Sequence, residues 1–322
     1  PQVVPSTAPF FIVMNGGSGH HDKADVQAVV GEVMAQAGRR HTVEVVHDPR
    51  QLAAIAARAV RQAREAEGVV VAAGGDGTIN AVAQAALGSG RPFGVLPQGT
   101  FNYFSRTHGI PSDTRAAAEL LTRARAYPVQ VGRINERVFL VNASLGLYPQ
   151  LLEDREAFKQ QYGRSRLVAV ISSLATLMRH HRLLRLRIEW GDGARNLRTP
   201  TLFVGNNRLQ LEQTGFAESR ATERGLLAAV AIKPVGTLAM LWLMLRGAVG
   251  RLGEAENVES FAFRRITVTP VGLLGGRRIK VATDGEIAWM TGPLEFGVAP
   301  EPLMLLRPDE PVADGERQEA AT

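Results

Sequence analysis

The sequence predicts an α/β N-terminal domain with a parallel sheet, over residues 9–130, followed by a mostly β C-terminal domain, over residues 131–296. Three observations predict this. Short apolar runs alternate with helix-periodic segments through the first 130 residues, the pattern of a parallel sheet covered on both faces. After about Tyr127 the texture changes to strict alternation. LRLRIEW, residues 184–190, sets Leu184, Leu186, Ile188 and Trp190 on one face and Arg185, Arg187 and Glu189 on the other. A chain of 322 residues, 45% hydrophobic and 21% charged, is also long enough for two cores.

The elements follow in order. Phe10 to Met14 is a short buried strand. Residues 22–37 carry Val26, Val29, Val30, Val33 and Met34 at helical spacing. HTVEVVH, residues 41–47, is a second strand, and residues 50–66 a second helix. Val69 to Ala73 is a third strand, leading to a helix from about Thr78 to Leu87. Phe93 to Leu96 is the fourth strand. Beyond the boundary, RVFLVNASLG, TLFVGNN, LLAAVAIKP, RRITVTP and RRIKVAT are strand candidates, and residues 165–181 and 237–249 are helical. Residues 297–308 are expected to complete the N-terminal domain, and 309–322 to form a polar, disordered tail.

Composition removes several classes. With no cysteine there are no disulfides and no cysteine-ligated zinc. A formal charge of +6 favours phosphate-bearing partners, without choosing among nucleotides, nucleic acid and anionic lipid. The N-terminal stretch lacks the basic region of a signal peptide. The most apolar window, LAMLWLML at 238–245, stops at Arg246, short of the ~20 residues a membrane span needs.

The chemistry concentrates in glycine-rich loops. Gly74-Gly75-Asp76-Gly77-Thr78 lies where a buried strand hands over to a helix. Glycines there let the backbone approach a phosphate, and the helix N-terminus favours the anion. A bare GDG is equally a tight turn with Asp76 as a cap. Two further loops occupy the same topological position: NGGSG, residues 15–19, after the first strand, and LPQGTFNYF, residues 96–104, after the fourth. Loops after successive parallel strands collect at the carboxyl edge, where ligands bind. No lysine follows these glycines, which excludes a GxxxxGK[ST] loop. The GxGxxG spacing is also missing, and no acidic residue ends the second strand, where His47 stands.

Together NGGSG, GGDGTIN, LPQGTFNYFSRTHGIP and the later DGE of residues 284–286 resemble the diacylglycerol-kinase catalytic family, which includes bacterial lipid kinases and the sphingosine and ceramide kinases. The resemblance covers roughly residues 9–308. It implies an NAD-kinase/diacylglycerol-kinase-like α/β domain that holds ATP, and a β-sandwich that helps form the lipid cleft. Carried over by position, Gly74, Gly75, Asp76, Gly77, Thr78 and Asn80 would line the phosphates and Mg2+, with Asp76 as metal ligand. Gly99, Thr100 and Asn102 would contact the nucleotide from the third loop, Asn15 and Ser18 from the first, and His47 from the end of the second strand. Glu286 matches the family's catalytic carboxylate, the general base for a lipid hydroxyl. As a bare motif, ATDGEIAW is a DG turn between strands. The implied activity is ATP-dependent phosphoryl transfer to a lipid hydroxyl, of diacylglycerol or a sphingoid-type alcohol. The implied partners are ATP and a lipid at a membrane surface, not nucleic acid, and the implied location is the cytoplasm, peripheral to the inner membrane surface.

The chain departs from the family in places. Asn15 is followed by Gly16 instead of proline, and Asn102 by Tyr103 instead of aspartate. Tyr148 stands where an acidic residue is frequent. Some members hold a structural magnesium with an Asp-Gly pair. Here the stretch is Glu223-Arg224-Gly225, and arginine cannot ligate a cation. The basic stretch RHHRLLRLR, residues 179–187, is either a lipid-docking face or a solvated strand face.

Overall fold

The computed structural model describes residues 1–17, 23–146, 183–236, 250–271 and 278–309, with a few isolated positions between them. Ser18, the helix expected at 165–181, most of that at 237–249 and the tail from residue 310 lie outside the described residues. The chain divides into two compact units, residues 1–130 with 300–322, and residues 131–299.

The first unit is built on a six-stranded sheet. Its strands are β1 (Phe10–Asn15), β2 (His41–Val46), β3 (Val69–Gly74), β4 (Phe93–Pro97), β5 (Arg125–Val129) and, returning from the far end of the sequence, Leu303–Arg307. The order is β2-β1-β3-β4, then Leu303–Arg307, then β5. All pairs are parallel except the last. Every residue of β3 is buried, as a central strand covered on both faces requires. One cover is α1 (Lys23–Gln36) with a helix over Thr114–Arg123. Val26, Val30, Val33 and Met34 meet Ala117, Ala118 and Leu121 over Phe10, Ile12, Val71 and Leu96. On the other face lie α2 (Leu52–Glu65), which buries Ile55, Ala56, Ala59, Val60 and Ala63 at helical spacing, and α3 (Asp76–Ala86), which packs beside it.

A short helix, α4 (Tyr103–Thr107), leads from the third loop to α5 (Thr114–Arg123), the helix that faces α1. Asp113 caps α5, its carboxylate accepting from Ala116 N at 2.9 Å. The half-buried His108 closes α4, its ring edge-on to Phe104 with centroids 4.8 Å apart. Burial, aided by the nearby Arg307 charge, pushes the imidazole down to about 4.

The second unit is two antiparallel six-stranded sheets. Its strands run in chain order: β6 (Gly132–Ile134), β7 (Arg137–Phe139), β8 (Asn142–Gly146), β9 (Leu184–Trp190), β10 (Gly193–Thr199), β11 (Thr201–Gly205), β12 (Leu227–Ile232), β13 (Val258–Phe263), β14 (Arg265–Pro270), β15 (Arg278–Thr283), β16 (Glu286–Thr291) and β17 (Leu294–Val298). Leu303–Arg307 of the first unit is then β18. One sheet has the order β10-β9-β14-β17-β6-β7 and the other β13-β12-β11-β8-β15-β16. Leu186, Ile188, Ile266, Val268 and Phe296 of the first share a core with Leu145, Leu202, Leu227 and Val281 of the second. That is a sandwich. A short helix, α6 (Arg208–Gln213), lays Leu211 on the other side of the second sheet, with Phe216, Ala228 and Val230.

The structure corrects several sequence expectations. Helix α3 begins at Asp76, not Thr78, so Asp76 and Gly77 are inside the first turn and Gly75 is its N-cap. Trp190 was expected on the buried face. It is 43% exposed, because it sits at the β9–β10 hairpin and folds over Gly193. RVFLVNASLG is two strands and not one. It breaks at Leu140-Val141, whose N–H groups go to the Asp284 carboxylate and not to a ladder. In the Glu223-Arg224-Gly225 stretch, Glu223 pairs with Arg208.

His108 makes one outcome testable. The fold holds its imidazole neutral, whereas the unfolded chain takes the proton near 6.5. Stability from this residue is complete above pH 6.5 and is lost as pH falls toward 4. The full span amounts to at most about 3 kcal/mol. Urea titrations at pH 7 and pH 4.5 should show a drop that is markedly smaller in His108→Leu.

Candidate active site

Asn15, the last residue of β1, is the first tie. Its Nδ2 donates to Thr78 Oγ1 at 3.0 Å, and its Oδ1 accepts from Gly17 N at 2.9 Å. One side chain therefore links the first loop to the first turn of α3. Gly16 N donates to Val46 O at 2.8 Å, which presses this loop against the end of β2. A Cβ on Gly16 would stand 2.7 Å from Val46 O and 3.4 Å from His47 Nδ1. That is why glycine follows Asn15, and it places His47 beside the same loop. The neighbouring Asp48 is engaged by Arg50 at 2.9 Å, which holds its carboxyl below the usual range.

The strand-to-helix junction has no spare residue. β3 ends at Gly74, Gly75 is the N-cap, and α3 starts at Asp76. A Cβ on Gly74 would be 2.7 Å from Thr78 Cβ and Oγ1, so glycine is demanded by the buried threonine one turn on. Gly75 offers no side-chain cap to the first turn. The leading N–H groups of α3 and the positive end of its dipole lie at this junction, where an anion would be favoured. Asp76 stands in that first turn, with Gly77 and the half-buried Asn80 after it.

The third loop closes on the second. Gln98 N donates to Gly74 O at 2.9 Å. A Cβ on Gly99 would fall 3.0 Å from Gly75 Cα and 2.8 Å from Asn102 Oδ1. The two glycines thus meet backbone to backbone. Asn102 is buried and left-handed (φ 48°, ψ 41°). It folds its amide over its own loop, Oδ1 accepting from Gly99 N at 3.1 Å and Nδ2 donating to Gly99 O at 2.8 Å. This assigns Asn102 a shaping task. Thr100 is exposed at the loop tip. Asn15, His47, Gly74, Gly75, Asp76, Gly77, Thr78, Gly99, Thr100 and Asn102 all fall at the carboxyl edge of one sheet.

In the second unit Glu286 is the exposed first residue of β16, and the turn proper is Asp284-Gly285, both with positive φ (48° and 89°). Such a two-residue turn matches the twist of a hairpin. Sequence reasoning missed Asp284. Its carboxylate accepts from Leu140 N at 2.7 Å, Val141 N at 2.9 Å and Asn142 N at 2.9 Å. Three charge-assisted bonds anchor the turn, and with it Glu286, to the start of β8. The only signal in the sequence was the DG pair itself, which fixes a turn type but not what the carboxylate reaches.

Two outcomes follow. Gly75→Ala meets nothing nearer than Gly99 Cα at 3.6 Å, so it should cost no more than the N-cap preference for glycine over alanine, under about 1 kcal/mol. Gly99→Ala should cost about 1–3 kcal/mol, because backbone must move. Thermal melts of the two variants check this ordering. Asp284→Ala, which also puts alanine at positive φ, should destabilise by about 3 kcal/mol in urea, and Asp284→Asn by less.

The sequence pattern described as the diacylglycerol kinase catalytic domain matches residues 9–134. A Cronobacter sakazakii protein named "Probable lipid kinase YegS-like" is 33% identical over 146 residues, 44% of this chain and 46% of that protein. The Bacillus subtilis diacylglycerol kinase is 39% identical over 89 residues, 27% of this chain and 29% of its own length. The chain therefore spans less than half the length of either curated relative in these matches. A crystal structure of a diacylglycerol kinase from Bacillus anthracis str. Sterne superposes with a TM-score of 0.64, covering 94% of this chain and 97% of that one. At 16% identity this likeness speaks to the fold alone. The matched segment, residues 9–134, is similar to the diacylglycerol kinase catalytic domain and contains all three glycine loops.

Proposed function

We propose that the protein is an ATP-dependent lipid kinase that moves the γ-phosphoryl group to a lipid hydroxyl, of diacylglycerol or a sphingoid-type alcohol. The observation that carries this is the first turn of α3, which no N-cap side chain covers and which two glycine loops flank. The residues suit the nucleotide. Backbone N–H groups of the α3 turn would hold phosphate oxygens. Thr78 is fixed by Asn15, and Thr100 is exposed for direct contact.

Magnesium fits the same place on a narrower basis. Among the described residues no three carboxylate or imidazole groups gather into a ready cage. Magnesium commonly takes one or two carboxylates and completes its shell with phosphates and water. Asp76 in the first turn is the proposed ligand, since a carboxylate at a phosphate loop repels the nucleotide unless a cation lies between them. When bound, the metal would neutralise charge on the transferred group. Glu286, exposed on a turn that Asp284 holds rigidly, is the proposed base that takes the proton of the lipid hydroxyl.

The test is transfer of label from γ-labelled ATP into a lipid extract, with mass spectrometry of the product. Glu286→Gln should keep its ATP affinity and lose about 10²–10⁴-fold in kcat. Asp76→Asn should lose both turnover and its dependence on magnesium. Near-full kcat in Glu286→Gln would remove the base assignment. Label arriving on a soluble nucleotide instead would move the protein to the NAD-kinase-like branch, and ATP binding without any transfer would make it a non-catalytic relative.

A further inference from the structure

The outward face of the β10-β9-β14-β17-β6-β7 sheet carries more positive charge than its own acids balance. Alternation along the strands turns Leu186, Ile188, Ile266, Val268 and Phe296 inward and Arg185, Arg187, Arg198, Arg265 and Arg133 outward, against Glu189 and Glu295. The acids are already engaged, Glu189 by Arg187 at 3.0 Å and Glu295 by Arg265 at 2.9 Å. Besides Arg133 on β6, two arginines remain, together at the β9–β10 end. Arg185 and Arg198 stand directly opposite each other in the β9–β10 ladder, both exposed, with no carboxylate at ion-pair distance among the described residues. Two like charges facing each other across a ladder are unfavourable in isolation.

Exposed aliphatic side chains border this pair. Val271, whose backbone N donates to Arg185 O at 2.7 Å, is 51% exposed, and Leu183, two residues before Arg185, is 36% exposed. Arginines with bare aliphatic tips beside them match the boundary of an anionic bilayer, where guanidinium groups meet phosphates while apolar tips pass below them. A nucleic-acid backbone would use the arginines but not the tips.

We propose that this end of the sheet, Leu183, Arg185, Arg198 and Val271, docks the protein on an anionic lipid surface. The inference extends the lipid-acceptor reading, but its test uses neither nucleotide nor turnover, so either can fail alone. The full chain is sedimented with vesicles of phosphatidylcholine, with and without phosphatidylglycerol. Binding is expected only with phosphatidylglycerol, and should weaken with salt. An arginine near such a surface contributes about a 5-fold gain in affinity, so R185Q/R198Q should bind roughly 25-fold more weakly. R185K/R198K should keep most of the binding, Val271→Asn should lose part of it, and R265Q, whose partner is Glu295, should change little. R198Q alone, on the edge strand β10, covers the case in which the double variant does not fold, with about a 5-fold loss. The proposal is overturned if the wild-type chain ignores phosphatidylglycerol, if R198Q and R185Q/R198Q bind as tightly as wild type, or if the lysine pair loses as much as the glutamine pair. Capture of an RNA oligonucleotide in place of vesicles, lost in R185Q/R198Q, overturns it in favour of nucleic acid.

Discussion

The first unit turns on the backbone contact between Gly75 and Gly99. A parallel sheet delivers its loops to one edge but does not make them touch. Here the loop after β4 lies so close to the loop after β3 that a methyl group on Gly99 would stand 3.0 Å from Gly75 Cα. Gln98 N reaches Gly74 O, and Asn102 folds back on Gly99 to hold the shape. From the other side Asn15 reaches Thr78. The first turn of α3 is therefore held between two loops while its N-cap stays bare. A fixed position at a helix N-terminus that no N-cap side chain covers suits a phosphate.

Much of this was legible in the sequence, for identifiable reasons. The β3 run VVVAAG and the α2 spacing of Ile55, Ala56, Ala59, Val60 and Ala63 answer to local periodicity, so their elements could be placed within a residue or two. The glycine loops could be located because glycine and helix starts leave local signatures. Which glycine is strictest was not local. Gly75, at the centre of the motif, has a φ of −82° that suits any residue, and its neighbours leave room. Gly74 and Gly99 are the constrained ones, Gly74 by a threonine four residues on and Gly99 by a loop from another strand. Only the fold supplies those neighbours.

In the second unit the same limit appears at Asp284. The dipeptide Asp284-Gly285 marked a hairpin, and β15 and β16 pair as expected around it. The acceptance of three N–H groups from Leu140, Val141 and Asn142 spans more than half the described sandwich in sequence and has no local trace. It also explains why RVFLVNASLG divides, since two of those N–H groups are withdrawn from strand pairing. Trp190 failed for the opposite reason. Its place in the alternation was right, but the hairpin ends there and leaves the ring over Gly193. β18 joins the first sheet from beyond the whole second unit, a closure that periodicity alone does not reveal.

A crystal structure with magnesium and a non-hydrolysable ATP analogue tests the central claim most directly. The account predicts phosphate oxygens within hydrogen-bond distance of the N–H groups at the start of α3, between the Asn15 and Gly99 loops, with the cation beside Asp76. A nucleotide bound elsewhere on the first unit, or one whose phosphates point away from Gly75, would contradict it.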